Sequence, residues 1–120
     1  MKKILIVDDE PNIVMSLEYT FKKNNFEVFI ARDGQEALDI LKNNFPDIII
    51  LDIMMPMVDG FATLKQIWED NNLQHTKVMF LSAKNKESDI EKGLALGADA
   101  YMTKPFTIKK VIEQVSELLN

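Results

Sequence analysis

The sequence predicts an α/β fold: a five-stranded parallel sheet, doubly wound, with helices on both faces. Three observations predict it. Residues 4–7, Ile48–Leu51 and 78–81 are runs of four apolar residues without polar alternation, the pattern of strands buried on both faces. Segments with apolar residues at helical spacing alternate with these runs. The runs end at Asp8, Asp52 and Ser82, and the carboxyl ends of strands are where open α/β sheets keep their sites.

Taken in order, residues 4–7 form the first strand and stop at Asp8-Asp9-Glu10. Pro11 suits the first turn of a helix and the acids suit its positive end. Val14, Leu17 and Phe21 line that helix to Lys22-Lys23, and Asn24-Asn25 closes it. Phe26–Ala31 is the second strand, Asp33-Gly34 a turn, and Ala37, Leu38 and Leu41 the face of a second helix. Pro46 introduces the central strand, whose last residue leads into Asp52.

Asp59-Gly60 opens the third helix, marked by Phe61, Leu64 and Ile67 or Trp68 and ended by the polar run Asp70-Asn71-Asn72. Asp59 is therefore its natural N-cap, and the same role is weak for Asp52. Lys77–Ser82 is the fourth strand. A less regular helix over 86–96 carries Gly93, a cost of about 1 kcal/mol relative to alanine, and Gly97 stops it. Ala100–Thr103 is the fifth strand. Ile108, Val111, Ile112, Val115, Leu118 and Leu119 make a strongly amphipathic last helix.

The chain of 120 residues is expected to be one domain, residues 1–120, with no tail left for an output or DNA-binding domain; it is either a stand-alone domain or a piece of something longer. A net charge of −5, from 19 acids and 14 bases, argues against a protein that coats nucleic acid or anionic membrane. Cysteine is absent and His75 is the only histidine, which excludes thiolate and histidine-rich metal sites. The apolar run after Lys2-Lys3 is too short for a signal peptide, and nothing approaches the roughly 18 apolar residues of a membrane span, so a cytoplasmic protein is expected.

In a parallel sheet, Asp8 and Asp9, Asp52, Ser82 and Lys104 converge on one edge. Singly, each has an ordinary explanation: helix capping for the acids, a turn for the hydroxyl, a solvated surface lysine. Together they need a shared cation, because two carboxylates about 4 Å apart repel by about 4 kcal/mol at an effective dielectric of about 20. Lys104 supplies one positive charge, and an all-oxygen site with room for water suits Mg²⁺. The surplus positive potential fits a phosphoryl group, with Asp52 as covalent acceptor. The methionines at 54, 55 and 57 are expected to pack locally rather than bind a soft metal.

Asp8-Asp9, Asp52 with Met55-Pro56 and Asp59-Gly60, Ser82-Ala83, Gly97-Ala98-Asp99 with Tyr101, and Lys104-Pro105-Phe106 together resemble the receiver domains of two-component response regulators. The resemblance covers the whole chain. It implies a flavodoxin-like strand order of 2-1-3-4-5 and phosphorylation of Asp52 by a histidine kinase, a phosphotransfer protein or a small phosphodonor. It implies that Asp9, Asp52 and the carbonyl of Met54 ligate Mg²⁺, with Asp8 acting through water. Lys104 would pair with the phosphoryl oxygens, Ser82 and Ala83 would meet them, and Tyr101 would swing inward as an aromatic switch. A cis bond before Pro105 is also implied.

By the same resemblance, Asn12, Ile13, Met15, Ser16 and Phe106 dock the phosphodonor, while Met54 and Lys84 influence how long the phosphoryl group lasts. The face made by the fourth helix, fifth strand and fifth helix would carry the output. The family's symmetric dimer uses charged residues there; Ile90, Ala100, Lys110 and Gln114 stand in their places, so a monomer or weak dimer is expected. The rival reading is an aspartate-nucleophile phosphohydrolase. Such enzymes carry Asp-x-Asp, and Asp52-Ile53-Met54 lacks the second acid, so turnover of an external substrate is not expected.

Overall fold

All five apolar runs pair in parallel. In the computed structural model, which describes residues 1–55 and 58–120, the strands are β1 (Lys2–Val7), β2 (Phe26–Ala31), β3 (Ile48–Leu51), β4 (Lys77–Ser82) and β5 (Ala100–Thr103), and they lie in the order β2-β1-β3-β4-β5. The helices are α1 (Pro11–Lys23), α2 (Gly34–Leu41), α3 (Gly60–Trp68), α4 (Glu87–Ala95) and α5 (Ile108–Leu119). The expected fold class and order are both found. Pro56 and Met57, part of the expected Met-Pro turn, lie outside the described residues.

Successive side chains of a strand point to opposite faces, which explains why the central strands carry no polar alternation. Leu5, Val7, Ile49, Leu51, Val78 and Phe80 pack with Leu41, Phe61, Leu64 and Ile67 of α2 and α3. Ile4, Ile6, Ile48, Ile50, Met79 and Leu81 pack on the other face with Leu17, Phe21, Val111 and Val115 of α1 and α5. Every residue of β3 is buried. That makes β3 a rigid mount for whatever follows Leu51.

Three details differ from the sequence reading. β1 begins at Lys2 rather than residue 4, because Lys2 and Lys3 pair in register with Phe26 and Glu27. After α3, the polar run forms a 3₁₀ turn, Asn71–Leu73, capped by the carboxylate of Asp70; it buries Leu73 in the core. Met55 packs against the core as expected, but the side chain of Met54 stands in solvent. Gly93, which weakens the helical pattern, has a packing reason: a methyl there would lie 3.0 Å from ring carbons of both Phe80 and Tyr101. Among the described residues, no helix is long and apolar enough to cross a membrane.

Candidate functional site

Asp52 follows β3 without a break. Its N–H donates to the Val7 carbonyl at 2.9 Å, so pairing with β1 carries one residue past the strand and fixes where the carboxylate emerges. Asp8 follows β1 in the same way, with its N–H on the Ala31 carbonyl at 3.1 Å. Lys104 follows β5, its N–H on the Ser82 carbonyl at 2.8 Å. Backbone pairing therefore brings the three charged groups to one edge. Lys104 Nζ lies 3.0 Å from Asp8 Oδ2 and 3.6 Å from Asp52 Oδ2, with the two acid side chains 4% and 3% exposed.

The helix after this edge is held close by glycine. Gly60 donates its N–H to the Ile53 carbonyl at 3.0 Å, and a Cβ at this position would collide with the carbonyl oxygen of Asp52 and lie 2.6 Å from the Ile53 Cα. No residue with a side chain fits there. The carboxylate of Asp59 accepts the Ala62 N–H at 2.8 Å, the cap expected of it, and Asp52 caps no helix.

Burial raises the pKa of Asp52 above its ordinary value, and the neighbouring charge of Asp8 raises it further; Lys104 and the N–H groups of Met54 and Ile53 work against this. Asp8 is raised as well, chiefly by burial, against the N–H of Glu10 and the lysine. Burial alone would lower the pKa of Lys104, but its contacts with Glu10 and Asp8 and the charges of Asp8 and Asp52 outweigh that and leave it raised. The lysine thus does not offset the cost of burying the two acids side by side. That shortfall is what a divalent cation would fill.

One residue of the site went unnoticed in the sequence. Glu10 Oε1 accepts from Lys104 Nζ at 2.7 Å, and carboxylate oxygens of Asp8, Glu10 and Asp52 all lie within 4.8 Å of one another. Asp9 is exposed and outside this group; it lines a depression of about 230 Å³ with Asp8, Met15 and Arg32. The signal was the spacing. Glu10 has extended backbone (φ −89°, ψ 109°), and in extended chain residues i and i+2 share a side, so Asp8 and Glu10 face Lys104 together. The three hard oxygen donors are the right chemistry for Mg²⁺.

Ser82 is fully buried at the end of β4, where its Oγ accepts the Lys84 N–H at 3.2 Å. The hydroxyl of Tyr101 donates to the Lys84 carbonyl at 2.7 Å, which ties β5 to the same loop. The phenol pKa is raised, first by burial and then by the charge of Asp89. The Lys104-Pro105 peptide bond is cis. Asn12, Ile13, Ser16 and Phe106, four of the five docking candidates, line one groove of about 630 Å³ together with Glu10, Ala83, Lys104, Pro105 and Ile108. Met15 is not among them.

Comparison with known proteins decides the family. The sequence model described as the response regulator receiver domain matches residues 4–116. This chain belongs to the response regulator receiver domain family. It is 44% identical over 122 residues to the alkaline phosphatase synthesis transcriptional regulatory protein PhoP of Bacillus subtilis, with 98% of this chain and 48% of that protein covered. The chain therefore spans about half the length of that curated relative. The receiver domain of Francisella response regulator 1452 superposes with a TM-score of 0.91 at 36% identity, covering 99% of this chain and 97% of that one. The chemotaxis protein CheY4 of Vibrio cholerae superposes at 0.93 and 29% identity, with 99% of each chain covered. The domain is a receiver of two-component signalling, a class that works with histidine kinases or phosphotransfer proteins and with effectors.

Proposed function

We propose that Asp52 accepts a phosphoryl group in the cytoplasm, from a histidine kinase, a phosphotransfer protein or a small phosphodonor, and that the aspartyl phosphate switches a partner-binding face. A carboxylate oxygen of Asp52 attacks phosphorus while the bond from phosphorus to the donor breaks. The leaving group is the imidazole of a phosphohistidine or, for acetyl phosphate, acetate. The observation that carries this reading is the setting of Asp52: a nearly buried carboxylate with one oxygen 3.6 Å from the Lys104 ammonium and the other accepting the Met54 N–H at 3.3 Å.

Asp9, Asp52 and the carbonyl of Met54 would hold Mg²⁺, Asp9 from the exposed rim and Asp8 through water, while Glu10 stays with Lys104. Bound there, the ion supplies positive charge for the phosphoryl oxygens and a template for the incoming donor. Lys104 pairs with a second phosphoryl oxygen, and Ser82 and the backbone at Ala83 meet the third. The Lys84 N–H on Ser82 and the Lys84 carbonyl on Tyr101 make the hydroxyl and the ring two ends of one short connection. A shift of Ser82 toward phosphate is therefore transmitted to Tyr101, and through it to the face of α4, β5 and α5. The donor docks in the groove lined by Asn12, Ile13, Ser16 and Phe106. The protein acts as a monomer or weak dimer.

Intact-protein mass after incubation with acetyl phosphate tests the chemistry. The wild type gains one phosphate only with Mg²⁺ present, and Asp52→Asn gains none. A gain of the same size in Asp52→Asn would place the acceptor elsewhere and overturn the reading.

A further inference from the structure

At α2, α3 and α5 the N-cap side chain accepts an N–H of its own helix: Asp33 from Glu36, Asp59 from Ala62, Thr107 from Lys110. Glu10 holds the N-cap position of α1 and makes no such bond. Its carboxylate reaches instead to Lys104, 94 residues away in sequence, and at 2.7 Å this is the shortest of the lysine's three contacts with acids. It is also the exposed one: the Glu10 side chain is 55% exposed and that of Lys104 only 10%. The side chain caps no N–H of α1, and the lysine is held by it.

We propose that Glu10 is a positioning residue that competes with the phosphoryl group for Lys104, holding the ammonium off Asp52 while Asp52 is unmodified. The inference rests on Asp52 being the phosphoacceptor. An aspartyl phosphate brings about two negative charges to the acid 3.6 Å from Nζ. Two of the three Nζ N–H groups are spent on Asp8 and Glu10, and drawing the ammonium toward a phosphoryl oxygen on Asp52 pulls it away from one of these two. Releasing Asp8 would leave a buried carboxylate with only the Glu10 N–H and no cation, whereas Glu10 regains water as it lets go. Glu10 is therefore the partner released. Because Glu10 also lines the groove beside Phe106, its freed carboxylate then faces whatever is docked there.

The test is calorimetric binding of the phosphoryl analogue BeF₃⁻, with Mg²⁺ saturating for every protein compared. Glu10→Gln is expected to bind about twofold to fivefold more tightly than wild type, the range set by losing an exposed ion pair. The gain shrinks as salt rises, and it disappears when Lys104 is also changed to Gln. Equal or weaker binding by Glu10→Gln overturns the proposal. So does a gain that persists without the lysine, which would be plain charge repulsion. If Lys104→Gln binds too weakly to measure, a crystal structure of the wild-type complex decides: Nζ still hydrogen-bonded to Glu10, with or without a fluoride contact, overturns the proposal, and Nζ on fluoride and off Glu10 supports it. A wild type that binds no BeF₃⁻ overturns both the receiver chemistry and the role of Glu10. A wild type that binds, with no effect of Glu10→Gln, overturns the latter alone.

Discussion

At the amino-terminal edge of the sheet, Asp47 and Asp99 each precede a strand, and each exchanges two bonds with a neighbouring strand. Asp47 donates its N–H to the Lys3 carbonyl and takes the Lys3 N–H on its carboxylate, both within 2.9 Å. Asp99 does the same with Val78, at 2.8 Å in both directions. At the carboxyl-terminal edge, Asp8 and Asp52 each follow a strand and make only the first of these bonds, through their N–H groups. Their carboxylates face each other and one lysine. The same residue type closes the ladder at one end and is buried without full compensation at the other. A carboxylate satisfied by the adjacent strand is structural; one that must share a cation is available to a phosphoryl group.

Disturbing the backbone under Asp52 should have the larger effect. Gly60→Ala forces a methyl into the carbonyl of Asp52 and the Cα of Ile53, and neither is a flexible side-chain end that could move aside. A loss of about 3 kcal/mol is expected in urea unfolding, with phosphorylation by acetyl phosphate slowed as Asp52 is displaced. Wild-type stability and rate in this variant would show that the edge tolerates repacking.

At the opposite edge, Asp99→Ala removes the acceptor of the Val78 N–H and should cost about 2 kcal/mol, the penalty of an orphaned backbone donor. The yield of phosphorylated protein should not change wherever the variant is folded. A drop in yield at full folding would mean that the two edges are coupled, and the separation drawn between them would fail.

The two edges also differ in how readily the sequence reveals them. Asp52 was legible because four apolar residues leave no doubt about where β3 ends, and Asp59 because it stands where a cap must be. Glu10 was not, since an acid at a helix start already has an explanation and its true partner lies 94 residues away. Nor was the extension of β1 through Lys2 and Lys3, which depends on register with an edge strand rather than on apolar character. Leu73, alone in a polar run, gave no periodicity to read, yet the fold buries it. Gly93 looked like a defect because Phe80 and Tyr101, which require it, belong to other elements. What local pattern determines was readable; what distant side chains impose was not.

The uncompensated burial of these carboxylates can be measured through pH. Burial raises Asp8 and Asp52 above their ordinary value of 3.8 in the folded protein. Between that value and the raised one, the folded state keeps protons that the unfolded state has lost, so stability falls as pH rises through the interval. The two acids therefore destabilise the protein at neutral pH and not in acid. Asp52→Asn should melt above wild type at neutral pH, and the difference should close as pH falls below 3.8, where the unfolded acid is protonated too. Adding Mg²⁺ should raise the wild type toward the variant, since an ion bound by the folded site alone stabilises it by mass action. A melting difference that stayed constant from neutral to acid pH would mean that the asparagine stabilises by packing, and that an uncompensated buried charge is not what distinguishes the carboxyl-terminal edge from the other.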